Sequence, residues 1–90
     1  MKQHLAEEEV SIVKESLQRE FGLLESKRNL LKSEIEDFES KHKMASKEFA
    51  ERFERGELGD AQDFFEWWGL LKGLEKVEGK ISKVKAVLVG

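Results

Sequence analysis

Cysteine and proline are both absent from this chain. Without cysteine there is no disulfide framework and no thiolate metal site, and without proline nothing interrupts a long helix. Both absences favour a helical protein of the cytoplasm. Apolar runs are short as well. None reaches the roughly 18 residues needed to span a bilayer, and the first segment, with His4 and Glu7 to Glu9, is too polar for a signal peptide. Histidine is scarce: His4 and His42 lie far apart, which argues against a histidine metal site. No nucleophile–base–orienter spacing, phosphate-binding glycine loop or Glu-x-x-His pair occurs, so neither an enzyme nor a bound cofactor is expected.

Charge, in contrast, is abundant. Charged residues make up 39% of the 90, mostly Glu and Lys, with one Asn and three Gln, a balance frequent in proteins that work at high temperature. The net charge of −3 conceals an asymmetry: residues 44–71 carry 3 bases and 7 acids, whereas 72–90 carry 5 bases and 2 acids. An acidic total argues against non-specific nucleic-acid binding, which needs several phosphate-neutralising cations on one face. The tail lysines Lys72, Lys76, Lys80 and Lys83 read more simply as a solvated helix face. A chain of this length makes one domain and buries only roughly 60–65% of its unfolded surface, so self-association is a natural remedy for a thin core.

Apolar residues recur at helical spacing along most of the chain. Val10, Val13, Leu17, Phe21, Leu24, Leu31, Ile35 and Phe38 form a stripe, with Arg28 interrupting it, and predict one helix over about 5–41. Ile12, Leu23 and Leu30 widen its apolar face. Ser40 to Lys43 supply cations for its C-terminal pole, with His42 as a partly buried or solvent-facing end residue. A short helix follows at 46–55, with Ser46 as its N-cap, Phe49 and Phe53 on one face and Gly56 as its terminator. The last helix, 60–88, carries a heptad seam through Trp67, Leu70, Leu74, Val77, Ile81, Val84 and Leu88. Gly69 and Gly73 leave two bare spots on one side of it. The fold expected is all-α, a long antiparallel, coiled-coil-like helical hairpin with a short bridging helix. Ile12, Leu23, Leu30 and Leu71 remain as surplus apolar surface that a homodimer would cover.

Between the helices, Gly56 to Trp68 concentrates four acids and half of the aromatics. Glu57, Asp60, Asp63 and Glu66 recur every three residues and admit three readings. Acids in a first helical turn complement its positive pole, with Asp60 as a cap. A carboxylate metal site would need further ligands from facing helices. Acids around Phe65 and Trp68, the aromatics left off the seam by Phe64 and Trp67, would suit partner recognition. Adjacent helical residues differ by about 100°, so burying Trp67 turns Trp68 toward another neighbour, either the short helix or a second protein.

The runs Met44-Ala-Ser-Lys-Glu-Phe49, Phe53-Glu-Arg-Gly-Glu-Leu-Gly-Asp60 and Asp63-Phe-Phe-Glu-Trp67 resemble a family of small archaeal and bacterial helical proteins with a Phe-x-x-Gly-Glu-Leu-Gly-Asp-x-x-Asp-Phe-x-Glu-Trp signature. The resemblance covers about residues 42–75, and Ala45 and Lys47 depart from it where a capping hydroxyl and an acid are expected. It implies an antitoxin-like role, binding and neutralising a partner such as a basic nuclease-like toxin. The expected contact residues are Glu57, Asp60, Asp63, Phe65, Glu66 and Trp68. The alternatives are a self-associating structural coiled coil and a carboxylate metal-binding protein.

Overall fold

A computed structural model describes residues 7–89. Residues 1–6 and 90 lie outside it, among them His4 and Leu5, where the expected first helix begins. Three helices follow in order: α1 over Glu7–His42, α2 over Ser46–Glu54 and α3 over Gln62–Val89. The long helices pack against each other as a hairpin and α2 closes its hinge end, as the apolar periodicity predicts. Among the described residues there is no strand, and no helix is long and apolar enough to cross a membrane.

The seam forms where the two stripes meet. Leu24, Val77 and Ile81 are buried together, with Phe21, Leu31 and Val84 packed around them. Nearer the hinge, Ile35, Phe49 and Trp67 form a second and broader cluster, joined by residues of all three helices. Arg28 falls inside the first cluster's stretch of α1, between Leu24 and Leu31, its guanidinium 3.6 Å from Glu25. α1 runs through Gly22 without a break. A Cβ placed on Gly73 would sit 3.9 Å from the Leu31 methyls, so these two residues are level across the hairpin. In an antiparallel pair the level of Val89 then falls near residue 15 of α1, at about 1.5 Å per residue in both helices. The start of α1 therefore projects past α3, and Val10 and Val13 stay exposed although they belong to the seam. The radius of gyration, 18.5 Å, records this elongation; a compact chain of this length would have about 12 Å.

Both helix ends before the hinge close by the same device. Lys43 takes a left-handed φ of 52° and Met44 N–H donates to the Glu39 carbonyl at 3.2 Å. After α2, Gly56 takes φ 69° and Glu57 N–H donates to the Arg52 carbonyl at 2.9 Å. These six-to-one bonds satisfy carbonyls that the helix ends leave free. Glycine fits the second turn without strain, as expected of Gly56, whereas lysine adopts the first at a cost of about 1 kcal/mol.

The start of α2 corrects the sequence reading. Ala45, with no side-chain acceptor, is the N-cap, and Ser46 is the first helical residue. The missing cap is replaced from another helix: the Glu39 carboxylate on α1 accepts the Ser46 N–H at 2.9 Å. An anion at a helix N-terminus is favourable whichever chain segment supplies it. α3 likewise begins at Gln62, two residues later than expected, which leaves Asp60 in the loop rather than at the helix cap. Leu71 is also reassigned: it packs into the hinge cluster and is not surplus surface.

Candidate functional site

The aromatic-acidic stretch forms the corner where α2 meets the hairpin. Trp67 is its centre, fully buried and stacked on Phe49 with ring centroids 3.9 Å apart and planes 3° from parallel. Its indole Nε1–H donates to Ser46 Oγ at 3.0 Å, so the hydroxyl expected to cap α2 instead satisfies a buried donor. On its other side Trp67 stacks against Phe38 and His42, at 6.0 and 5.7 Å. His42 is thus a half-buried ring of the hinge core.

Asp63 is drawn into that hinge. Its Oδ2 lies 2.7 Å from Lys41 Nζ and 3.0 Å from His42 Nε2, tying the start of α3 to the end of α1. The hydrogen bond from Lys41, then that to His42, holds the Asp63 carboxyl below its ordinary value of 3.8, against a smaller opposing effect of burial. A carboxyl depressed by folding contributes stability that is complete above its unfolded pKa and is lost as pH falls through its folded pKa. The melting-temperature advantage of the natural chain over Asp63→Asn is therefore expected to be present from about pH 5 to 7. It should shrink by about half or more by pH 3. Thermal melts of both chains across that range test this; a gap that stays constant down to pH 3 would show that Asp63 contributes nothing through its charge.

The six residues expected to bind a partner do not share one surface. Asp63 is engaged as described. Glu66 faces away from α2 and lines a groove between α1 and α3 with Glu34, Asp37 and Phe38. Glu57 sits by the hinge loop, 2.6 Å from Arg55 and 3.7 Å from Arg52, and Asp60 is exposed in the loop. Phe65 and Trp68 lie together on the α2 side. Phe65 is 52% exposed and meets Phe53 edge-on at 5.6 Å; Trp68 is half-buried and stacks on the same Phe53 at 5.0 Å. Trp68 is therefore covered by the short helix through Phe53, with Lys72 also standing against its ring.

Trp68 also borders a groove of about 270 Å³ between α2 and α3, with Leu71 and Leu74 in its floor and Glu54, Glu75 and Glu78 alternating with Lys47 and Lys72 on its rim. Lys72 Nζ stands over the Trp68 ring at 4.4 Å from its centroid. Glu75 and Glu78 come about two and three turns after Trp68, the spacing in the sequence that places them on its side of α3. Among the described residues, no group of three or more His, Asp or Glu side chains stands close enough to hold a metal ion. No family model matches this chain, and no curated protein or solved structure is significantly similar to it.

Proposed function

We propose that this chain is a small regulatory protein-binding module, antitoxin-like in its action, that captures a basic surface of another protein with the α2–α3 corner. Cytoplasmic placement, favoured by the cysteine-free composition, belongs to the same reading. The observation that carries it is Phe65, a large aromatic half exposed on a ledge beside the Trp68 groove, whose rim carries three acids and two lysines. Exposed aromatics flanked by polar groups make effective interaction anchors. Lys72 holds a cation over the Trp68 ring, a place that an arginine or lysine of the partner would take only by displacing that side chain. The outward carboxylates Glu51, Glu54 and Asp60 supply the steering field, which speeds encounter with a basic partner more than it tightens the complex. The resemblance of the hinge signature to antitoxin-like proteins points the same way.

The test is capture of the partner from the source cell, followed by binding measurements on Phe65→Ala. Phe65 lies at the edge of the core, so its truncation should leave helix content unchanged and weaken binding about 10- to 30-fold, a loss of about 1.4–2 kcal/mol. Glu75→Lys with Glu78→Lys should slow association and reduce its dependence on salt. Full affinity of a folded Phe65→Ala chain would refute this surface.

A further inference from the structure

The hairpin has a second long face, opposite the one that α2 covers. On α1, Leu23, Lys27, Leu30, Glu34, Asp37 and Lys41 recur by four and three residues and so form one stripe. Leu23 and Leu30 are 69% and 62% exposed. On α3, Glu66, Gly69, Gly73, Lys76 and Lys80 recur by three and four. Both stripes border the same groove of about 570 Å³, whose floor is Phe38 and Leu70, so they belong to one face.

Charge along this face is polarised. Its hinge half carries Glu34, Asp37 and Glu66, with Lys41 there tied to Asp63; its other half carries Lys27, Lys76 and Lys80, with Glu20 at its end. We infer that two copies of the chain pair through this face about a two-fold axis, α1 antiparallel on α1 and α3 antiparallel on α3. Parallel stacking would set like charges against each other, whereas reversal sets the acidic half of each copy on the basic half of the other.

The register follows from the same residues. Centring α1 near Leu30 places Lys27 opposite the partner's Glu34 and drops Leu23 over the partner's Phe38, at the groove. Centring α3 on Gly73 places Glu66 opposite the partner's Lys80. The two centres were chosen independently, one on each helix, yet the fold sets them at the same height, since Leu31 lies beside Gly73. One axis therefore satisfies both helices. At that axis α3 presents Gly73, where a Cβ would meet only the Leu31 methyls of its own chain at 3.9 Å, and at Gly69 nothing stands within 4 Å, so the partner's backbone meets no side chain from either glycine. Overlap of residues 20–41 gives a contact about 33 Å long and about 20 Å wide, or about 1,300 Å² over both copies, within the range of stable interfaces.

Light scattering on the full chain should give about 21 kDa, twice the mass of 10.4 kDa. Lys27→Glu and Glu34→Lys, both at exposed positions, should each weaken self-association at least about tenfold while leaving helix content unchanged. Each contact occurs twice in a two-fold pair. An equimolar mixture of the two variants therefore restores both attractions, and the mass should return to about 21 kDa as a heterodimer. As a second readout, Gly73→Cys should oxidise to a disulfide-linked dimer, and Gly59→Cys in the hinge loop should not. A mass of 10.4 kDa at high micromolar concentration overturns the inference and leaves the face to a different protein. So does self-association indifferent to both charge reversals, a mixture that remains monomeric, or equal cross-linking at positions 59 and 73.

Discussion

Trp67→Ala is expected to lower the melting temperature by about 15–30 °C. Truncating a fully buried tryptophan costs about 3–5 kcal/mol, and each kcal/mol moves the midpoint of a domain this size by about 4–8 °C. The site has little means of collapsing around the void. Phe49 stacks on one face of the indole and Phe38 and His42 on the other, each from a different element or register, so the cavity would separate all three helices at once. Loss of the indole also orphans Ser46 Oγ at the first residue of α2. Trp67→Phe separates the contributions: it retains the stacking area and removes the hydrogen bond, which is worth about 1 kcal/mol. Thermal and urea melts of both variants decide the matter. A fall of less than about 5 °C for Trp67→Ala would mean that the corner is not the keystone of the fold.

That centrality was only partly legible in the sequence. The heptad seam of α3 identifies Trp67 as inward, and two apolar stripes joined by a short middle already require a hairpin. The partners that make the corner rigid were not legible, because they are long-range and chemically indirect. Glu39 caps α2 across 7 residues, and Asp63 reaches Lys41 and His42 across more than 20. No local pattern distinguishes those carboxylates from the many that face solvent in a chain so rich in Glu. The acids at 57, 60, 63 and 66 show the limit most clearly. Their spacing of three suggests one stripe, but Asp60 precedes the helix and Glu57 belongs to the loop, so helical geometry applies to Asp63 and Glu66 alone. The candidate surface consequently moves from those acids to Phe65 and the Trp68 groove. The polarity of the outer face was fully written in the sequence, yet it becomes meaningful only once the fold shows that residues 31 and 73 are level.

The hairpin's two ends are expected to differ in local stability, with amides of 82–87 exchanging at least about 30-fold faster than those of 67–74, a gap of about 2 kcal/mol in opening free energy. The cause is unequal burial. At the hinge, three buried residues are sheathed by nine partly buried ones drawn from every helix. At the far end Leu24, Val77 and Ile81 have three such neighbours, and α2 is absent, so the last turns of α3 rest on α1 alone. Arg28 interrupts the far cluster's apolar stripe on α1 between Leu24 and Leu31, which thins the packing there further. Fraying can then begin at Val89, release Leu88 and Val84, and stop at Ile81 without disturbing Trp67. Pairing of two copies centred on Gly73 would protect the middle of the rod and leave this end unchanged. Hydrogen exchange read residue by residue measures the gradient directly, and uniform protection from Trp67 to Val87 would show a single cooperative unit instead. The gradient bears on binding because it sets the Phe65 ledge on the end that does not open. An anchor held at the rigid hinge loses little conformational freedom when a partner covers it, whereas the same aromatic on the fraying end would have to be ordered at the moment of contact.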